Sequence, residues 1–223
     1  MKLRWKQDWL TYLILGYGLL LTGVLIQKFV VDFLLDPTDD WWRFWYLFTY
    51  QTNIMVALWS VSYGVCKIFN LTHLLNWLTK KIVVIIITVN TLIVFFIVFF
   101  VLNPVLEGRW NPVSSLSELL THNLSTVLMV MVFFLIKGVG ELKNRDAITV
   151  LIYPFIYFII HTFVGLNVNF KDGNPAFNYG FINPNNYSNI LIFIALFVSL
   201  VAIFGALGFA LIKVKNRLET KQR

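Results

Sequence analysis

The sequence holds one cysteine, Cys66, and a single thiol forms neither an internal disulfide nor a multi-cysteine metal site. Paired-thiol redox chemistry is excluded. Charge is also scarce: 13% of the 223 residues are charged and 58% are hydrophobic, giving a mean hydropathy of +0.74. A soluble domain of this size cannot bury so much apolar surface. HExxH, GxSxG, a Walker loop and a dinucleotide fingerprint are all missing, so the common enzyme motifs offer no lead. No cofactor is implied. His122, His161 and Glu118 would make three metal ligands, but their spacing matches no established pattern, and no metal site is assigned.

The sequence is rich in long apolar runs. Six segments of about 20 residues, long enough to cross a bilayer, fall at roughly 9–31, 44–66, 82–102, 116–136, 147–166 and 189–212. The connections between them are too short to fold alone, and no internal repeat is evident. The expected fold is all-α: one polytopic domain over 1–223, a bundle of six transmembrane helices in the cell membrane. The first run follows Lys2, Arg4 and Lys6 like a signal sequence, but its long core and lack of a small-residue cleavage site mark it as a retained anchor.

The net charge of +7 is spread between and beyond the apolar segments, which argues against nucleic acid as a partner. On one side lie Lys2, Arg4 and Lys6; Lys67, Lys80 and Lys81; Lys137, Lys143 and Arg145; and the tail Lys213, Lys215, Arg217, Lys221 and Arg223. The other side keeps Lys28, Arg43, Arg109 and Lys171 with the acidic residues Asp32, Asp36, Asp39 and Asp40. The positive-inside rule then places both termini in the cytoplasm. Trp41, Trp42, Trp45 and Trp77 suit interfacial aromatic belts. Asn103-Pro104, Asn111-Pro112 and the Asn-rich stretch from Lys171 to Asn189 form outer connections, read either as solvated loops or as caps over an outward pocket.

Polar side chains inside the spans point to function. Thr49, His122 and His161 each fall roughly 7–9 Å below the outer boundary at 1.5 Å per residue. Thr49, Thr52 and Asn53 share a face of the second helix, with Gln51 pointing elsewhere. Glu118, His122, Ser125 and Met129 follow a face of the fourth, and Tyr153, Tyr157 and His161 step by four along the fifth. Polar stripes face the bundle interior or a wet cavity. A neutral imidazole in reach of a Thr hydroxyl takes its proton as the oxygen attacks an ester carbonyl, and the amide of Asn53 or Gln51, or a freed backbone N–H, stabilises the oxyanion. Against this stands a structural reading, in which Thr bonds back to its own helix and His ties helices together. Glu118 either complements a helix start or orients His122. Thr88 and Asn90 read as interhelical ties, and His73 as an exposed loop residue.

Three runs carry a resemblance. The Trp-rich lead-in with LFTYQTN (Leu47 to Asn53), THNLSTVL (Thr121 to Leu128) and YPFIYFIIHTFVG (Tyr153 to Gly165) together resemble the androgen-induced-gene/FAR-17a family of six-helix membrane proteins and its bacterial relatives. Animal members are threonine hydrolases that cleave fatty acid esters of hydroxy fatty acids with a Thr on the second helix and a His on the fourth. The resemblance implies Thr49 as nucleophile, with Thr52 as its register rival, and His122 as base. It also matches His161 to a histidine that precedes a Gly. The QTN run is more amide-rich here, and the connection after the fifth helix is longer and richer in Asn. The leading expectation is an intramembrane hydrolase of lipid-type esters near the outer leaflet, taking a lipid or other apolar small molecule as substrate. The alternative is a non-enzymatic membrane subunit that binds a small molecule for import.

Overall fold

The computed structural model describes residues 2–36, 40–105 and 113–221, with side chains of 2–8 and 105 left aside. Asp39, Arg109, Asn111-Pro112 and Arg223 lie outside the described residues.

Every regular element among the described residues is helical. Helix α1 spans Lys2–Lys28 and runs on through a π-helical turn, Phe29–Leu34. A short α2 (Arg43–Tyr46) precedes α3 (Phe48–Ile68) and α4 (Thr72–Leu78), which carries the exposed His73 in a helix rather than the expected loop. Helix α5 (Lys81–Phe96) also passes into a π turn, Ile97–Leu102. Helix α6 (Leu116–Leu135) has a π turn near its start, Leu119–Leu124. Helices α7 (Asp146–Thr149), α8 (Ile152–Asn167) and α9 (Ile190–Thr220) follow.

Local chemistry sets the helix starts. Ser115 caps α6 by accepting the Glu118 N–H at 3.2 Å, and Asn189 caps α9 by accepting the Leu191 N–H at 2.8 Å. Pro154 sits in the first turn of α8, where its missing N–H removes no helical bond.

Five stretches are long and apolar enough to cross a bilayer: Trp9–Leu34, Lys81–Leu102, Leu116–Leu135, Asp146–Asn167 and Ile190–Thr220. Helix α3, the expected second span, has the length at 21 residues but not the apolarity. Thr49, Gln51, Thr52 and Asn53 crowd its first two turns.

The chain divides into two compact units, Met1–Lys28 with Thr49–Glu141, and Phe29–Phe48 with Leu142–Arg223. In the first, α5 packs on α6 through Val84, Ile85, Val89, Leu128, Met129 and Val132, all buried. Polar ties run through the same seam. The Thr88 hydroxyl reaches the Met129 carbonyl at 3.2 Å, and the Thr126 hydroxyl reaches the Thr91 carbonyl at 2.9 Å. Asn90 instead donates to Ile86 on its own helix. Helices α1 and α3 meet through glycines: a Cβ at Gly18 would stand 2.7 Å from the Ser60 Cβ, and one at Gly64 would stand 2.6 Å from the Leu15 Cβ. Small residues permit this backbone approach in a membrane bundle.

In the second unit, Gly208 of α9 lies against Val150 and Gly205 against Leu151, while Phe158 of α8 stacks on Phe197 with centroids 3.8 Å apart. The 168–189 connection is folded rather than a loose loop. Its Phe170 ring stacks on Trp42 and lies under the Arg43 guanidinium, and the Lys171 N–H donates to Asp40 at 2.9 Å. Gly173 turns the chain with φ at 81°, and two hydrogen bonds from Asn174 hold the exposed Asp172 carboxyl below the usual carboxylate range.

Candidate functional site

The sequence-derived residues fall into two groups, one in each unit. Thr49, Gln51, Thr52, Asn53, Glu118, His122 and Ser125 belong to the first, and Tyr157 and His161 to the second.

In the first unit, Asn53 is the organising residue. Its side-chain nitrogen donates to the Thr49 carbonyl at 2.8 Å and to the Thr121 carbonyl at 2.9 Å. One amide therefore joins the first turn of α3 to the backbone just before His122. Its oxygen accepts the Ser125 hydroxyl, which lies 2.7 Å from the Tyr17 hydroxyl of α1. Three helices are tied by one chain of bonds, and the buried polar atoms of Asn53 are satisfied. Both amide hydrogens of Asn53 are committed to carbonyls, so Asn53 has none left for an oxyanion.

The π turn of α6 sets this arrangement. A π turn takes up an extra residue, so Ser125 lies over Leu120, five positions back, with its hydroxyl oxygen 3.0 Å from that carbonyl. Tyr17 reaches the same carbonyl at 2.9 Å.

On the preceding turn, the His122 Nε2 lies 2.9 Å from Glu118 Oε2, and the Lys28 ammonium lies 3.8 Å from the other carboxylate oxygen. Glu118 thus follows its Ser115 cap and sets its carboxylate beside His122 and Lys28. The His122 pair is a close contact rather than an aligned hydrogen bond, since Glu118 Oε2 accepts none among the described residues. Thr49 is half-buried. Thr52 is fully buried, and its hydroxyl has no hydrogen-bond partner among the described residues.

In the second unit, His161 is fully buried, with Nδ1 3.0 Å from the Tyr157 hydroxyl. The Tyr46 ring stacks on the imidazole at 4.3 Å, nearly parallel, and the Tyr46 hydroxyl donates to the His161 carbonyl at 2.7 Å.

Sequence reasoning missed Tyr17, Lys28 as a partner of Glu118, and the rings of Tyr46, Phe177 and Tyr179, whose centroids lie 4.3, 6.2 and 5.8 Å from that of His161. Tyr17 is a polar tip within an apolar run, and Lys28 is a basic residue on the side that holds few of them. Both irregularities are visible in the sequence. The contributions of Phe177 and Tyr179 come from a long connection whose folding no local pattern announces. The chain matches no known protein family, no curated protein and no solved structure.

Proposed function

We propose that the protein is an intramembrane hydrolase of lipid-type esters, with Thr49 as nucleophile and His122 as base. Asn53 carries the reading: one nitrogen bonds the carbonyls of Thr49 and Thr121, so the hydroxyl and imidazole stand on backbone turns tied to a single amide. Glu118 stands beside the base, its carboxylate oxygen 2.9 Å from His122 Nε2, and supplies a negative charge where the imidazolium would form.

The Thr49 oxygen attacks the ester carbonyl as its proton passes to His122 Nδ1, and Gln51 or a backbone N–H faces the oxyanion. Collapse expels the alcohol, which takes that proton, and leaves an acyl-threonine. Water then attacks the acyl group by the same route, giving the free acid and restoring Thr49. The proposal includes α3 as the second of six spans, both termini cytoplasmic, and a site near the outer leaflet of the cell membrane. The resemblance of the Leu47–Asn53, Thr121–Leu128 and Tyr153–Gly165 runs to membrane threonine hydrolases supports it.

An alkyl fluorophosphonate probe tests the nucleophile. Purified protein is expected to be labelled, Thr52→Ala to retain labelling, and Thr49→Ala to lose it. Equal labelling of Thr49→Ala and the unaltered protein would overturn the assignment.

A further inference from the structure

His161 is surrounded by bonds that fix its tautomer. The Tyr157 hydroxyl lies 3.0 Å from the Tyr46 carbonyl, 3.2 Å from the Phe48 N–H and 3.0 Å from His161 Nδ1. A carbonyl only accepts, and a backbone N–H only donates. The single hydroxyl hydrogen therefore goes to Tyr46, and the hydroxyl oxygen accepts from Phe48 and from a protonated Nδ1. With the hydrogen turned to Nδ1 instead, two oxygens would face each other at 3.0 Å with no proton between them. Nε2 is thus a bare lone pair.

That lone pair is buried and has no hydrogen-bond partner among the described residues. Around the imidazole stand four rings: Tyr46 at 4.3 Å, Tyr157 at 5.2 Å, Tyr179 at 5.8 Å and Phe177 at 6.2 Å. Phe177 is seated so closely on Gly165 that a Cβ there would meet its ring at 2.4 Å. Between the two loop aromatics, Asn178 has a buried amide nitrogen without a partner among the described residues, while its oxygen accepts from Arg43 at 2.7 Å. The acceptor on His161 is left unmet in an aromatic setting, where such a group carries a desolvation cost.

We propose that His161 is the acceptor of a second binding site, one that takes the hydroxyl of an aliphatic alcohol. A hydroxyl donates to such a lone pair and brings no charge into the aromatic surroundings. A carboxylate or phosphate brings no hydrogen and meets the lone pair with like charge. A metal would find one nitrogen, and no group of three His, Cys, Asp or Glu among the described residues is placed to hold one. Aromatic walls and the apolar flank of α8, where Ile160 and Phe163 are exposed, suit a hydrocarbon chain. The site lies wholly within the second unit and stands independently of the Thr49 reading.

Nitrogen-15 spectra of histidine-labelled full-length protein in phosphatidylcholine nanodiscs test this directly. The three histidines are assigned by substituting His73 and His122. His161 is expected to show a protonated Nδ1 and an unprotonated Nε2, and 1-dodecanol to shift the Nε2 signal saturably while dodecane and laurate leave it in place. A protonated Nε2, no dodecanol shift, or an equal shift with dodecane would each overturn the proposal.

Discussion

The Ser125 hydroxyl donates to the side-chain oxygen of Asn53, joining α6 to α3 at the point where α6 leaves its π turn. Asn53 also holds two carbonyls, so its replacement breaks more than one bond. Asn53→Ala is expected to destabilise the protein by about 2 kcal/mol, from lost interhelical bonds and an unfilled gap. Ser125→Ala should cost less, because the Tyr17 hydroxyl retains the Leu120 carbonyl. A double-mutant cycle read by unfolding in detergent is expected to give a coupling of about 1 kcal/mol, and additivity would show the bond to be without effect.

Glu118 separates shape from charge. Under the proposed reaction, Glu118→Gln keeps shape but removes the carboxylate charge that lies 2.9 Å from His122 Nε2. His122→Ala is expected to lower ester turnover by about 100- to 10,000-fold, the usual worth of a positioned base. Glu118→Gln should fall between that variant and the unaltered protein, with thermal stability little changed. Turnover of a short-chain nitrophenyl ester measures both, and an unaffected rate in His122→Ala would remove it as the base.

Helix α1 offers a comparison within one element. Gly18→Ala places a Cβ 2.7 Å from the Ser60 Cβ and 3.0 Å from the Val61 nitrogen, neither of which is a flexible side-chain end. The expected cost is about 1–3 kcal/mol, seen as a lowered unfolding midpoint. Gly16 has nothing within 4 Å of the same position, so Gly16→Ala should be neutral or stabilise by up to about 1 kcal/mol through helix propensity. Equal midpoints for the two variants would contradict the close α1–α3 crossing.

Much of this architecture was legible because apolar run length is a coarse physical signal. The five apolar stretches were all drawn from it, whereas the sixth expected span, 44–66, meets α3, whose polar first turns leave it short of the apolarity of the other five. Helical spacing correctly paired Glu118 with His122 and Tyr157 with His161, since residues four apart share a face. It did not foresee the π turn that lays Ser125 over Leu120, because no residue in LLTHNL demands the wider turn. The aromatic box was hidden for another reason: Tyr46 and His161 are distant in sequence, and their stacking depends on how the chain folds over them.

Tyr157→Phe removes one oxygen and leaves ring packing intact. Three groups then lose a partner: the Tyr46 carbonyl, the Phe48 N–H and the His161 Nδ1–H. The expected destabilisation is about 1–3 kcal/mol, the cost of buried groups left unmet. The tautomer should respond as well, because nothing then distinguishes Nδ1 as the protonated nitrogen. Nitrogen-15 spectra of Tyr157→Phe are expected to show a mixture of the two neutral forms at His161. A spectrum identical to that of the unaltered protein would mean that the Tyr157 hydroxyl does not set the proton's position, and with it the deduction that Nε2 is bare would fail.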